Sequence, residues 1–133
     1  MNIHLLSIGN ELLSGFTINS NAATIGQKLM LNGLSLDRIT TLPDNGLILK
    51  KEIKEAMKSS RFVITTGGLG PTGDDLTRNV IAEIFEKDLV YDENVAQDLI
   101  VRYGADFPSI KNQSMVPRDA IVLSNQLGTA PGF

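Results

Sequence analysis

Residues 62–77 read FVITTGGLGPTGDDLT, and this stretch decides the fold class. A short run rich in β-branched residues ends at the glycine-rich segment 67–70, and a helical pattern begins after the acidic pair at positions 74 and 75. The stretch therefore predicts a strand, a loop and a helix N terminus in succession. In an open α/β sheet such a junction binds phosphate, because free N–H groups and the helix dipole favour an anion there.

Length and composition restrict the class of protein. The chain has 133 residues, of which 42% are hydrophobic and 20% are charged, and these values predict one globular domain over residues 1–133. The net charge of −3 argues against a general attraction for nucleic acid. There is no cysteine, which excludes disulfide and thiolate chemistry. The N terminus lacks the basic start of a signal peptide and no apolar run is long enough for a membrane span, so we expect a cytoplasmic location.

Hydrophobic spacing predicts alternating strands and helices. Strands are expected at residues 3–8, 34–42, 61–66 and 120–123, with His4 packed in the core of the first. The first helix is expected from Asn19 or Ser20 to Gly33. A second helix has an apolar face at Leu49, Ile53, Ala56 and Met57, and a third buries Leu76, Val80, Ile81 and Ile84. A fourth is expected over residues 93–103. Residues 107–117 and the closing segment GTAPGF are expected to be irregular. This alternation predicts an α/β fold with a mainly parallel sheet.

Most polar candidates fall in three loops, at residues 9–21, 43–46 and 66–77, each directly after a strand. Loops that follow successive parallel strands leave the same edge of the sheet, so we expect these three to converge. They contain hard oxygen donors without sulfur or histidine, a set that suits Mg²⁺ or a similar cation bound with phosphate and not structural zinc. The set comprises Glu11, Asn19, Asn21, Asp44, Thr66, Thr72, Asp74, Asp75 and Thr77.

Each candidate also has a purely structural interpretation. The glycines of residues 67–70 can serve only to turn the chain, and aspartate before a helix is most often a cap. We therefore expect one of Asp74 and Asp75 to cap and the other to function. Asp44 has the same ambiguity, and so do both asparagines of the first loop, whereas Glu11 is evenly balanced between the two interpretations.

Five motifs, in consistent order from residue 3 to residue 133, carry a resemblance to a known family: IGNELLSGFTINSN, LPDN, TTGGLGPTGDDLTR, NQSMVP and GTAPGF. Together they resemble the N-terminal domain of the competence/damage-inducible protein CinA, which is related to the molybdopterin-binding proteins MoaB and MogA. The resemblance implies a three-layer α/β/α fold of this molybdopterin-binding type. It also implies self-association into a homo-oligomer and a small nucleotide or pterin ligand, without nucleic acid or membrane as a partner.

The resemblance assigns roles to residues. The acidic residue of the glycine motif and that of the preceding Pro-Asp loop form the functional pair in MogA-like relatives, and they correspond here to Asp75 and Asp44. With Glu11, these carboxylates are expected to be catalytic and to bind a divalent metal (Mg, Mn or Co), with no organic cofactor. The predicted substrate-binding residues are Gly67, Gly68, Gly70, Thr66, Thr72, Thr77, Asn19 and Asn21.

CinA-type domains are associated with metal-dependent hydrolysis of ADP-ribose at its pyrophosphate, so the resemblance implies a hydrolase that yields AMP and ribose 5-phosphate. Two alternatives stay open: a non-catalytic pterin- or nucleotide-binding module, and adenylyl transfer to molybdopterin as in MogA-like proteins. Family members continue with a Pro-Gly-Pro-Pro loop after GTAPGF and often with a nicotinamide-nucleotide amidase domain. Neither lies within these 133 residues, which favours a chain that is cut short at its C terminus.

Overall fold

The structure, a computed structural model, describes residues 2–133. The chain divides into two compact units, the first ending at Gly68 and the second spanning Leu69–Phe133. Within the described residues, no helix combines the length and the apolar character needed to cross a membrane.

A three-stranded sheet forms the centre of the first unit. Its strands are β1 (Ile3–Ile8), β2 (Arg38–Leu42) and β3 (Phe62–Thr66), in the order β2-β1-β3, and both pairings are parallel. All six residues of β1 are buried, as expected for a central strand covered on both faces. His4 is among them, and its Nε2 lies 2.8 Å from Thr40 Oγ1, so the prediction of a core histidine is confirmed.

Three helices complete the first unit: α1 (Asn10–Leu13), α2 (Ser20–Leu31) and α3 (Gly46–Ser59). The helix predicted to begin at Asn19 or Ser20 is confirmed, with Asn19 as its N-cap, whereas the single turn of α1 was not predicted. The buried residues of α3 are Leu49, Ile53 and Ala56. Met57 is 40% exposed, so its predicted place on the buried face is wrong.

The second strand is shorter than predicted, because residues 34–37 lie outside it. The physical reason is Asp37, whose carboxylate accepts a hydrogen bond from the main-chain N–H of Ile3 at 2.7 Å. Its own N–H donates to the carbonyl of Ile3 at 2.9 Å. The Asp37 side chain thus accepts the hydrogen bond that a main-chain carbonyl would accept in a longer strand. The regular pairing starts one residue later, at His4 with Arg38.

The second unit contains α4 (Thr77–Ile84), β4 (Leu89–Tyr91), α5 (Glu93–Tyr103), α6 (Ile110–Gln113) and β5 (Met115–Pro117). Strands β4 and β5 form an antiparallel pair. The predicted bounds of α5 are confirmed, with Asp92 as its N-cap, although Tyr103 is exposed. The predicted alpha and parallel-beta class is therefore confirmed for the sheet of the first unit, and the second unit adds three helices and a short antiparallel pair of strands.

Three predictions within the second unit are wrong. Residues 107–117 are not irregular, since they contain α6 and β5, and residues 120–123 form no strand, since only Leu123 pairs, in an isolated bridge with Gly132. The buried face of α4 also differs from the expected one. It is formed by Thr77, Arg78, Val80 and Ala82, whereas the predicted Leu76, Ile81 and Ile84 are half-buried.

Candidate functional site

The three parallel strands of the first unit end at the same level. Ile8 pairs with Leu42 across one side of β1, and Ser7 pairs with Thr66 across the other. The loops that follow therefore leave one edge of the sheet, which is where ligands bind in open α/β sheets.

Asp44 lies at this edge and is held by Asn10. The carboxylate Oδ2 of Asp44 accepts a hydrogen bond from the N–H of Asn10 at 2.9 Å, and the Asp44 N–H donates to Asn10 Oδ1 at 3.2 Å. Asp44 is not the cap of α3, because Asn45 Oδ1 accepts from the N–H groups of Leu47 and Ile48. The capping interpretation of Asp44 is thus removed.

The other predicted polar residues of the first unit divide into two groups. Asn21 Nδ2 donates to Thr66 Oγ1 at 3.0 Å, which joins the start of α2 to the end of β3. Asn19 instead caps α2 by accepting from the N–H of Ala22 at 3.1 Å. Glu11 is exposed on α1, with Oε1 2.5 Å from the position that a Cβ on Gly9 would occupy.

Gly67 and Gly68 turn the chain away from β3. Both have positive φ, 97° and 66°, where residues with a Cβ are strained. At Gly67 a Cβ would also collide with the carbonyl oxygen of Ile8. Glycine at this position therefore allows the loop backbone to pass directly over the end of the central strand.

In the second unit, Asp75 closes the rest of the glycine-rich loop. Its Oδ2 accepts from Thr72 N at 2.9 Å and from Thr72 Oγ1 at 2.6 Å, while the Asp75 N–H donates back to the Thr72 carbonyl at 3.1 Å. Gly70 lies against this carboxylate, and a Cβ there would be 2.5 Å from Oδ2. Asp75 therefore shapes the loop by accepting its hydrogen bonds, and it does not cap α4, whose N-cap is Leu76.

The hydrogen bonds also change the acidity of Asp75. Partial burial raises the pKa of this carboxyl, but the hydrogen bonds from Thr72 and from the Gly70 N–H, together with the charge of Arg78, hold it below its ordinary value. Asp75 is therefore a carboxylate at neutral pH. Asp74 next to it is exposed, and Thr77 is fully buried at the start of α4.

Arg78 is a functional candidate that the sequence analysis missed. Its side chain is only 7% exposed, its Nη2 donates to Asn112 Oδ1 at 2.9 Å, and its buried Nε has no partner among the described residues. Burial lowers the pKa of this guanidinium, and nearby Asp75 raises it. Asn10 was missed too, and the only available signal for it was its position directly after a strand-ending glycine.

The carboxylates do not form a closed metal cage. Within residues 2–133 there is no group of three or more histidine, cysteine, aspartate or glutamate side chains placed to hold a metal. The donors present fit a cation of the Mg²⁺ type, which commonly takes one or two carboxylates and completes its shell with water and substrate phosphate. Asp44 and Asp75 belong to different units, and their convergence on one ligand stays a prediction.

A cavity of about 270 Å³ lies in the second unit between α5 and residues 122–131. Several of its charged and amide groups already serve the fold: Asp92 caps α5, Asp98 pairs with Arg102 at 2.6 Å, and Asn125 accepts from Leu127 N and Gly128 N. None of the residues predicted to bind substrate lines it.

The chain matches the model of a protein family described as "probable molybdopterin binding domain" over residues 4–133. The chain belongs to this family. It is 43% identical over 132 residues to a CinA-like protein of Fervidobacterium nodosum, covering 96% of this chain and 32% of that protein. It is 40% identical over 138 residues to a CinA-like protein of Gemmatimonas aurantiaca, with 100% and 32% covered. The chain thus spans about a third of the length of these relatives.

Solved structures support the same relationship. The crystal structure of CinA from Thermoplasma acidophilum, a protein described as of unknown function, has a TM-score of 0.87 at 34% identity and covers 98% of this chain and 79% of that one. The molybdopterin biosynthesis enzyme MoaB from Thermus thermophilus has a TM-score of 0.56 at 13% identity, with 87% and 78% covered, and this likeness concerns the fold alone. The resemblance to the N-terminal domain of CinA, with a MoaB/MogA-like fold, is confirmed.

Proposed function

We propose that this domain is a metal-dependent nucleotide pyrophosphatase that hydrolyses ADP-ribose to AMP and ribose 5-phosphate. The observation that carries the proposal is the position of Asp44, which is fixed at the carboxyl edge of a parallel sheet without serving as a helix cap. The substrate class is inferred from the resemblance to CinA-type domains.

The contacts of Asp44 suit a chemical task. Helix capping is the usual reason for an aspartate in this position, and here the neighbouring Asn45 performs it. The bonds with Asn10 fix the direction of the Asp44 side chain and leave it only partly buried. A fixed carboxylate in contact with solvent can orient a water molecule and accept its proton.

The proposed reaction uses groups that the first unit already presents. A water attacks one phosphorus of the pyrophosphate. The bond between that phosphorus and the bridging oxygen then breaks, and the bridging oxygen leaves with the other phosphate. Asp44 takes the proton of the attacking water, and Asn21 with Thr66 binds an oxygen of the phosphate or ribose. A divalent cation, held by Asp44 and Glu11 and by the substrate, would supply charge neutralisation at phosphorus.

The test is release of AMP from ADP-ribose with Mg²⁺, Mn²⁺ or Co²⁺, compared with a chelator. Asp44→Asn keeps an oxygen for the Asn10 N–H but loses the base, so we expect AMP release to fall by about 100-fold or more, the usual contribution of a general base. AMP release by Asp75→Asn shows whether the second acidic residue takes part in the reaction. Asp106→Asn, which removes the charge of an exposed aspartate, is the matched control and keeps full activity.

Three outcomes would contradict the proposal. Metal-independent AMP release would exclude the cation, and full activity of Asp44→Asn with an unchanged melting temperature would exclude Asp44 from the reaction. If wild-type protein releases no AMP with any of the three metals, the pyrophosphatase assignment itself is wrong.

A second candidate function is a non-catalytic module that binds a pterin or a nucleotide. The observation in its favour is the hydrogen bonding of Asp75, whose Oδ2 already accepts from Thr72 N and Oγ1 and is thereby committed to the loop. This module would bind ADP-ribose or a pterin without turnover and without need of a metal. Equilibrium binding in the presence of a chelator, measured by calorimetry, separates it from the enzyme.

A further inference from the structure

The glycine-rich loop receives a hydrogen bond from a residue more than forty positions further along the chain. Gln113, the last residue of α6, is completely buried, and its Nε2 donates to the main-chain carbonyl of Leu69 at 3.3 Å. Both partners belong to the second unit. A buried amide side chain is retained where its polar atoms have partners, because an unpaired one is costly.

Both ends of the Gln113 amide have partners. Besides Leu69, Nε2 lies 3.2 Å from Asn112 Oδ1, and Oε1 accepts from Thr129 Oγ1 at 3.3 Å. Asn112 Oδ1 also accepts from Arg78 Nη2. Because arginine can only donate, Asn112 must present its oxygen to Arg78, and Gln113 must then present its NH₂ group to that oxygen. The hydrogen bond that Arg78 donates to Asn112 thus determines which way the Gln113 amide faces.

The carbonyl of Leu69 and the N–H of Gly70 belong to one planar peptide unit and point in opposite directions. A hydrogen bond that fixes the Leu69 carbonyl therefore also fixes the Gly70 N–H. This N–H donates to the carboxylate of Asp75. The amide that the sequence analysis places among the ligand-binding groups is thereby aimed by Gln113.

We propose that Gln113 is a positioning residue for the glycine-rich loop: its donation to the Leu69 carbonyl aims the Gly70 N–H at the carboxylate of Asp75 and so fixes the part of the loop that Asp75 closes. The consequence for ligand binding rests on the function proposed above, whereas the effect on the Gly70 amide does not. Gln113 contacts no substrate in this assignment and acts only through the peptide between Leu69 and Gly70.

The experiment compares ¹H–¹⁵N spectra of the 133-residue chain with those of Gln113→Met, which keeps the length of the side chain and removes its amide. We expect the Gly70 and Thr72 amide resonances to shift and their hydrogen exchange to accelerate. The matched control is Thr129→Val, which removes the donor at the opposite end of the same amide and leaves donation to Leu69 in place. It should leave the Gly70 resonance unchanged.

A second variant covers the event that Gln113→Met does not fold. Asn112→Ala alters an exposed residue and removes the oxygen that orients Gln113, so it should shift the Gly70 resonance in the same direction but by less. An unchanged Gly70 resonance in the folded variants, or an equal shift in Thr129→Val, would overturn the proposal.

Steady-state kinetics of the same variants with ADP-ribose test the consequence for binding. Loss of the hydrogen bond that fixes the Leu69–Gly70 peptide should raise the KM by about three- to tenfold with a smaller effect on kcat, because this part of the loop must then be ordered when the ligand binds. If wild-type protein does not turn over ADP-ribose but the Gly70 shifts occur as expected, the function proposed above fails and the positioning role of Gln113 stands.

Discussion

Asp44 and Asn45 are adjacent residues with the same potential to cap a helix, and the structure gives them different tasks. Asn45 accepts two N–H bonds of α3, whereas Asp44 pairs with Asn10. Sequence spacing could not separate them, because the difference depends on a partner thirty-four positions away. Spacing also failed for Asp75, for a different reason: the hydrogen bonds that its carboxylate accepts from Thr72 lie within a loop that has no sequence periodicity.

His4 leads to a prediction about pH. Burial lowers the pKa of this histidine below its ordinary 6.5, the charge of Arg38 lowers it further, and Glu52 raises it. The folded state therefore binds the proton less readily than the unfolded state, and the stabilisation present above pH 6.5 is lost as the pH falls through the lower, folded-state pKa. Urea denaturation of wild type and His4→Gln should show a steeper loss of stability for wild type between pH 7.5 and about pH 5.

His4→Gln retains a polar group for Thr40 but does not titrate, so the carboxylates contribute equally to both proteins. Parallel pH profiles for the two proteins would show that protonation of His4 does not affect folding.

Gly67 gives a prediction about stability. Gly67→Ala introduces a Cβ at a φ of 97° and against the carbonyl of Ile8, so we expect a loss of more than about 2 kcal/mol in the free energy of unfolding. The matched substitution is Gly73→Ala, where a Cβ meets no atom within 4 Å, and the change should stay within about 0.5 kcal/mol. Equal losses in chemical denaturation would contradict the close approach of this loop to β1.

At the scale of elements, the long periodic segments were predictable and the short ones were not. The bounds of β1 follow from a short apolar run, and those of α5 follow from apolar residues repeated at helical spacing. By contrast, α6 has four residues and β5 has three, too few for either period to show. Strand β5 also depends on pairing with β4, a tertiary contact that cannot be predicted from the residues of β5 alone.

Helix α3 allows its capping to be measured. Asn45→Ala removes the oxygen that accepts from Leu47 and Ile48, so the free energy of unfolding should fall by about 1 kcal/mol. Asn79→Ala, at an exposed position inside α4, is the control and should cause no loss, because alanine favours helix. If both variants unfold at the same urea concentration as wild type, the cap of α3 contributes nothing to stability.

For the whole molecule, the charge distribution leads to a prediction about metal binding. With a net charge of −3 and no cluster of three metal-ligating side chains among residues 2–133, the protein alone should bind Mg²⁺ weakly. We therefore expect the melting temperature to rise with ADP-ribose plus Mg²⁺ and not with Mg²⁺ alone, because only a ligand that binds the folded state stabilises it. An equal rise with Mg²⁺ alone would indicate a metal site formed by the protein itself.

The class of the whole fold could be predicted better than the arrangement of its site. Alternating strands and helices indicated the parallel sheet of the first unit, and the ends of its strands indicated where polar loops gather. Arg78 and Gln113 could not be found in this way. A buried arginine and a buried glutamine look like surface residues in the sequence, and only their partners in space distinguish them.

The paired bonds between Asn10 and Asp44 also affect how the edge of the sheet responds to heavy water. The N–H of Asn10 lies at the start of α1 and that of Asp44 in the loop after β2, where deuterium normally replaces hydrogen quickly, yet each is bonded to the other residue's side chain. These two protons should persist well after those of the surrounding turns have exchanged. A ligand that draws the Asp44 carboxylate away would break its bond with the Asn10 N–H. Faster exchange of the Asn10 proton would therefore report that this edge of the sheet is occupied.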